Sequence, residues 1–434
     1  MKTLIVRTLG CSKNTVDSEH IAAAASSCYV VLPDSQERLQ RSDVFLLNTC
    51  SFIADAKQES IDAIMEAIDL KRQGVYGKVV VFGCLAQRYS SQMPSLIPEV
   101  DAWFGARDFS PLLEYLGVEK TLDEKDRLLS TPSHYAYLKI SEGCDRRCSY
   151  CAIPFIRGRH RSTPVEDLVE EARCLAAKGV KELIVIAQDT TYYGLDLYGK
   201  RDLARLLHAL SEVEGIQWIR LHYSYPEDFP QDVLDEMASN PKICKYIDIP
   251  LQHVSDAVLS NMHRGVDGQR TRELVRAMRE KVPGVVLRTT MIVGHPGEDV
   301  KAFRELMDFV RETRFDRLGA FTFSREEGTF AATHLRDSVA RKTKEGRLER
   351  LMNLQKDISR EINESYVGRL ERVIVDSLEN GVLICRTSCQ SPDVDGEVFV
   401  KPLPTLQNPA ALVGSFIDVR IVDVDDYDLY AQMI

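Results

Sequence analysis

No stretch of the chain approaches the roughly 20 apolar residues that span a bilayer, although hydrophobic residues make up 44% of it. The start, MKTLIVRTLGCSKN, carries no signal-peptide cleavage pattern. Together these absences predict a cytoplasmic protein with no membrane partner. An excess of positive charge is missing too: 55 Lys and Arg stand against 65 Asp and Glu, a net charge of -10, so no overall field favours nucleic acid. Disulfides are not expected among eleven cysteines in a reducing compartment, and clusters of them point to metal or redox work. A fourth ligand is also absent where one would be sought. SEGCDRRCSYCAIP (141–154) places Cys144, Cys148 and Cys151 within eight residues, whereas iron and zinc sites are normally closed by four protein groups. Neither zinc-ribbon nor ferredoxin spacing fits C-x3-C-x2-C, and a 4Fe-4S cluster with one iron open to an outside ligand does.

At 434 residues the chain is too long for one core and suggests about three domains. The first 115 or so residues alternate strand and helix. Three apolar runs, TLIVRTLG, DVFLLNT and KVVVFG, end immediately before Cys11, Cys50 and Cys84. Polar segments of helical spacing follow, as in a parallel sheet with crossover helices. Ligands gather beyond the carboxyl ends of such strands, so the three cysteines are expected to converge on one metal site. Cys28 lacks this placement and is expected in a helix or core. VEKTLDEKDRLLSTPSH (118–134) reads as a linker.

Beyond it come six strand candidates, YAYLKI, ELIVIA, WIRL, YIDI, VVLRTTMIV and RLGAFTF, alternating with helical segments. Six βα units predict an incomplete barrel whose open side admits a large substrate. Its polar strand tips carry Gln188 to Thr190, His222 to Ser224, Pro250 to His253 and Gly294 to Glu298. His222, His253 and His295 are read equally as hydrogen-bonded loop histidines or ligands. A helix from Arg341 to Ile362 with an apolar stripe leads to a tail of five short strands, a small antiparallel β-barrel. Cys385 and Cys389 in that tail have no further thiol or histidine nearby and are read as structural.

C-x3-C-x2-C with Tyr150 before its last cysteine resembles the radical S-adenosylmethionine (SAM) superfamily. LGCSKNTVDSE, NTCSFI, FGCLAQRY, SEGCDRRCSYCAIPFIRGRHRS, DIPLQHVSDAVLSNMHRG and RTTMIVGHPGE, in that order, look like the methylthiotransferase family across almost the whole chain. Asp145 stands where that family often has Asn, and His295 where an aromatic is usual. The resemblance implies an α/β multidomain protein. It would comprise an N-terminal domain with a 4Fe-4S cluster (1–117), an open (β/α)6 radical SAM core with a second (130–362), and a TRAM barrel (364–434). It further implies that Cys11, Cys50 and Cys84 bind the sulfur-handling cluster, and Cys144, Cys148 and Cys151 the cluster that cleaves SAM to a 5'-deoxyadenosyl radical. SAM would fill the open iron of the latter. Tyr150 through its backbone, Gln188, Gln252 and Thr290 are the candidate SAM contacts, each equally readable as a structural polar residue. Arg157, Arg159, His160 and Arg161 read as a solvated charge run that could steer substrate.

The tail from Tyr366 to Ile434 holds five basic and eleven acidic residues. Such a domain repels a phosphate backbone, so no direct nucleic-acid binding is expected from it. An acidic face suits a basic protein, with Asp425, Asp426 and Asp428 as docking residues. ISEGCDRRCSYCAIP, AQDTTYYG and DIPLQH look like the family branch that modifies an aspartate β-carbon of ribosomal protein S12. That branch implies a second SAM for methylation, an electron donor and a sulfur source. The alternatives are the tRNA adenosine methylthiotransferase branch and, more remotely, an iron-sulfur electron carrier.

Overall fold

The computed structural model describes residues 1–34, 40–119 and 125–434. In the first unit, strands β1 (Lys2–Thr8), β2 (Tyr29–Leu32), β3 (Ser42–Thr49), β4 (Tyr76–Gly83) and β5 (Ala102–Phe104) form one parallel sheet in the order β2-β1-β3-β4-β5. The central strands read as unbroken apolar runs because both faces are buried: Leu46, Val80 and Phe82 face one core, and Phe45, Leu47, Val79 and Val81 the other. β2 and β5 escaped the sequence reading, being short strands at the sheet's two edges. Helices Ser12–Ala25 and Ala54–Arg72 start where β1 and β3 end. Cys28 lies in the turn after the first helix, its thiol 3.5 Å from the Gly117 carbonyl.

The second unit contains β6 (Tyr135–Lys139), a two-residue pairing of β7 (Ser141–Glu142) with β8 (Arg161–Ser162), then β9 (Glu182–Ile186), β10 (Trp218–Leu221), β11 (Ile243–Asp248), β12 (Val286–Val293) and β13 (Arg317–Thr322). Six of them form an open parallel sheet in the order β13-β12-β11-β10-β9-β6, as six βα units require. Alternation decides which side chains meet the helices: Leu138, Val185, Ile219 and Leu287 join the large core with Leu168, Leu206, Met278 and Leu306. The helix Arg341–Glu364 closes that layer through Leu351 and Ile358, and it also buries Arg347 against Glu298 at 2.6 Å.

β14 (Leu370–Glu379), β15 (Val382–Thr387), β16 (Val398–Lys401), β17 (Phe416–Val424) and β18 (Leu429–Met433) close a barrel in the order β14-β15-β16-β18-β17. Four pairings are antiparallel and one, β16 with β18, is parallel. Five strands of alternating direction cannot close a ring without one like-directed pair, so the expectation of an antiparallel barrel is corrected at that seam. Cys385 points into the barrel core, while Cys389 packs beside Cys244 of the central unit, so the C-x3-C pair does not act as one site.

The opposite, concave face of the six-stranded sheet is not left open. Val16 of the first helix packs on Tyr135, Tyr137, Ile184 and Ile186, and Ile374 and Phe416 of the barrel pack on Trp218, Tyr246 and Val286. Buried ion pairs fix both contacts. Arg386 binds Glu182 at 2.8 Å and Asp376 at 2.6 Å, while Arg127 binds Glu171 at 3.0 Å and also pairs with Glu19. Arg127 falls within the segment read as a linker, which is thereby pinned rather than free. Residues 120–124 of that segment lie outside the described ones.

Candidate functional site

Each cysteine of the first set follows the carboxyl end of its strand, β1, β3 or β4. The turns are built for close approach. Gly10 has φ +92°, and a Cβ there would stand 2.6 Å from Cys50 Cβ and 2.9 Å from its Sγ. Gly83, at φ +99°, would drive a Cβ to 2.2 Å from Asn48 Oδ1. Only glycine fits such positions. Ser60 holds the Cys50 backbone from both sides, accepting from its N–H at 3.0 Å and donating to its carbonyl at 2.9 Å. Burial raises the Cys50 thiol, and it pushes Cys84 up to about 12 against the pull of Arg157. Cys11 raises both further by its proximity, so the three thiols stand near one another.

The second set lies on the loop between β7 and β8. Burial raises Cys144 and pushes Cys151 up to about 12, with Cys148 adding to both. Arg264 reaches this loop, donating toward Cys148 Sγ at 3.5 Å, Tyr150 Oη at 3.3 Å and the Pro250 carbonyl at 2.5 Å. Tyr225 Oη lies 3.4 Å from Cys148 Sγ. Among the described residues no three His, Cys, Asp or Glu side chains stand close enough to hold a single metal ion. A four-iron cluster interposes iron and sulfide between its thiolates, so its ligands stand farther apart than those of one ion.

Buried polar atoms without partners test the fit to larger guests. Ser12 Oγ and Ser51 Oγ, beside Cys11 and Cys50, are orphaned, as are Gln188 Oε1, Gln252 Oε1 and Arg264 Nε around the second loop. Such groups are costly unless something satisfies them. Gln252 has φ 70° and bridges by backbone to Thr290 and Ile292, so these two SAM candidates do sit together at the rim. Gln188 instead donates to Glu142 Oε1 at 2.6 Å. Tyr150 packs edge-on to His295 at 6.2 Å. Glu142, Arg264 and Tyr225 were missed by sequence reasoning because each stands alone in sequence, without a motif spacing to mark it.

The charge run 157–161 divides. Arg159 and Arg161 are exposed, and His160 is buried against Ser162 at 3.0 Å. Arg157, however, is buried and is no steering residue: it donates to Cys84 Sγ at 3.3 Å, Asp17 at 2.7 Å, Glu142 at 3.2 Å and Asn14. Cys84 also packs against Ala152 and Ile156, just after Cys151. The two cysteine sets are therefore neighbours.

The rim histidines are structural partners. His222 Nε2 meets Ser391 Oγ at 2.9 Å, and His253 Nδ1 accepts from Ser255 N–H at 3.0 Å. His295 contacts Ser149 Oγ at 3.4 Å and the Phe323 ring. Burial holds His295 at about 4. The unfolded chain takes up that proton near pH 6.5 and the folded one only near pH 4. Stability is therefore lost as pH falls through this window, by up to about 1.4 kcal/mol per unit. Denaturant midpoints at pH 7 and pH 5 should differ less in His295→Phe than in wild type, and equal differences would refute the assignment.

The radical SAM superfamily model matches residues 138–310, the uncharacterized protein family UPF0004 model residues 3–105 and the TRAM domain model residues 367–434. The ribosomal protein uS12 methylthiotransferase RimO of Cytophaga hutchinsonii is 49% identical over 428 residues, 98% of this chain and 97% of that protein. The protein of the same name from Bacteroides fragilis is 46% identical over 100% of this chain and 99% of its own. The chain belongs to the uS12 methylthiotransferase family. Among solved structures it resembles the radical SAM methyltransferase TsrM of Kitasatospora setae, with TM-score 0.56 and 15% identity over 95% of this chain and 82% of that one. As a radical SAM methylthiotransferase it is an enzyme whose cofactors are SAM and 4Fe-4S clusters. No helix among the described residues is long and apolar enough to cross a membrane.

The acidic tail of this methylthiotransferase is less free than its composition suggests. Asp425 accepts from Tyr427 N–H at 2.9 Å and Asp428 N–H at 2.8 Å, Asp426 pairs with Lys356 at 2.9 Å, and Asp428 accepts from Glu397 N–H at 2.7 Å. These three half-buried carboxylates hold turns and tie the barrel to the preceding helix. Asp418 and Asp423 remain exposed.

Proposed function

We propose that the chain methylthiolates the β-carbon of an aspartate in ribosomal protein uS12, and that the observation carrying this reading is the adjacency of its two cysteine sets through Arg157, Cys84, Ala152 and Ile156. When bound, the clusters and SAM supply the carbon radical, the sulfur and, from a second SAM, the methyl group. The chain's own residues hold and orient. Cys11, Cys50 and Cys84 bind one cluster within unit 1–117, and Cys144, Cys148 and Cys151 bind the other within unit 130–362. Tyr150 by its backbone, Gln188, Gln252 and Thr290 face SAM. The orphaned carbonyl oxygens of Gln188 and Gln252 support this, as acceptors for an amine-bearing guest.

Unit 364–434 covers the concave face and excludes water from it. The enzyme draws on an outside electron donor and a sulfur source, acts in the cytoplasm, and does not bind nucleic acid through its tail. Incubating the reconstituted enzyme with a uS12 peptide and with unmodified tRNA, then weighing both by mass spectrometry, tests the reading. A methylthio group on the peptide alone is the expected result. Modification of tRNA alone would overturn it in favour of the sister activity.

A further inference from the structure

Three lysines stand near strand ends of this enzyme with their ammonium groups buried or, for Lys139, half-buried, and two are neutralised. Lys139 pairs with Asp17 and with Glu142 at 2.9 Å, and Lys344 pairs with Asp337 at 2.7 Å. Lys13, only 6% exposed, is different. Its Nζ stands 2.9 Å from the centroid of the Tyr223 ring, and among the described residues it has neither a carboxylate within 4 Å nor a hydrogen-bond acceptor. A buried charge is costly unless paired, and an aromatic face offsets only part of that cost.

The surroundings indicate what completes the pair. Lys13 lies two residues after Cys11, in the first turn of the helix Ser12–Ala25, whose Val16 packs on the concave face of the core sheet. Tyr223 lies just past the end of β10, at the rim that carries the candidate SAM contact Gln188, and is bonded to Thr190. Its φ of 58° is unfavourable for an aromatic residue. That conformation is enforced by Asp248, which accepts from Tyr223 N–H at 3.1 Å, and by Thr190, which donates to the Tyr223 carbonyl from N–H at 3.1 Å and from Oγ1 at 3.2 Å. Strain so over-determined is characteristic of ligand clamps. Cys11, Ser12 and Tyr223 line a cavity of about 1040 Å³ that extends to Asp393 and Val394 of the barrel. Lys13 therefore joins the helix that follows Cys11 to Tyr223 at the strand tips, and both Cys11 and Tyr223 line that cavity.

We infer that Lys13 recognises the side-chain carboxylate of the substrate aspartate and sets the preference for an acid over an amide at that position. This rests on the function proposed above. The β-carbon of aspartate is bonded directly to its carboxyl carbon, so a cation that fixes the carboxylate also fixes the reacting carbon. Of the donor types available, an ammonium with three free N–H groups suits this task.

The test uses two forms of one uS12 peptide, with Asp or Asn at the modified position. Binding to the unreduced, reconstituted holoenzyme is followed by fluorescence anisotropy, and modification by mass spectrometry. Wild type should bind the Asp form about ten- to a hundredfold more tightly than the Asn form, the worth of a charge-assisted hydrogen bond. Lys13→Met should bring that ratio close to one by weakening the Asp form alone, and Lys13→Arg should restore part of it. A purely structural cation–π contact would not alter selectivity between the peptides. Retention of the wild-type ratio by Lys13→Met overturns the inference, as does a wild-type ratio near one, which needs no variant to fold. Modification of the Asp peptide with an unchanged ratio leaves the proposed function standing and removes only the role of Lys13. If wild type modifies neither peptide, the function falls and this inference with it.

Discussion

Alanine at position 148 should cut the iron of the reconstituted enzyme from about eight atoms per chain to about four, and bring reductive cleavage of SAM to background. Cys148 touches Arg264 and Tyr225 on the loop between β7 and β8, away from Ser60, Asn48 and Gly83, which shape the other set. Loss of one thiolate should thus empty one site and leave the other. Alanine at Cys50 is the mirror experiment. Iron should again fall by about half, because two thiols cannot replace three, but SAM cleavage should persist while sulfur insertion stops. The pair of variants separates the roles, which neither can do alone. Four irons in the intact chain, or methylthiolation by Cys50→Ala at the wild-type rate, would refute the assignment of two three-cysteine sites.

Both sheets were legible in the sequence because parallel strands buried on two faces leave unbroken apolar runs, as in KVVVFG, and the cysteines could be read at their carboxyl ends. The barrel strands were legible from their turns, but the sense of the β16 and β18 pairing is a property of closure, not of any segment. What could not be read was the destination of each charge. Arg157 sits among other basic residues and looks solvated. Its acceptor Asp17 is 140 residues away, and nothing local announces that contact. Asp425, Asp426 and Asp428 look like a free acidic face, yet two of them serve backbone N–H groups of their own turn or of a neighbouring strand. Composition reports the sum of charges, and only packing decides which remain available to a partner. Lys13 is hidden for the same reason in reverse: one lysine among many, singled out only by the carboxylate it lacks.

Arg157→Met should be the most damaging change outside the cysteines. The guanidinium is 2% exposed and faces Asp17 and Glu142, each of which also meets Lys139. Burial alone would raise the Glu142 carboxyl, but Lys139 and then Arg157 more than offset this and hold it at about 2. Methionine fills much of the same volume and leaves two carboxylates, Asp17 buried and Glu142 half-buried, sharing one ammonium. Breaking a buried pair in this way costs about 3–5 kcal/mol, because an uncompensated charge remains in the interior. The strain should appear where the network joins the two units: amide hydrogen exchange should quicken in the helix Ser12–Ala25 and in the loop 144–151, and, if Cys84 binds iron as proposed, that iron should be lost more readily to a chelator. Lysine at 157 keeps the charge but cannot spread donors over Asp17, Glu142, Asn14 and a thiol, so it should rescue only in part. If excess negative charge is the cause, adding Asp17→Asn to Arg157→Met should recover much of the protection, a coupling that independent sites would not show. A double variant as damaged as the sum of its parts would mean that Arg157 acts through packing, and that the link between the two cysteine sets is steric rather than electrostatic.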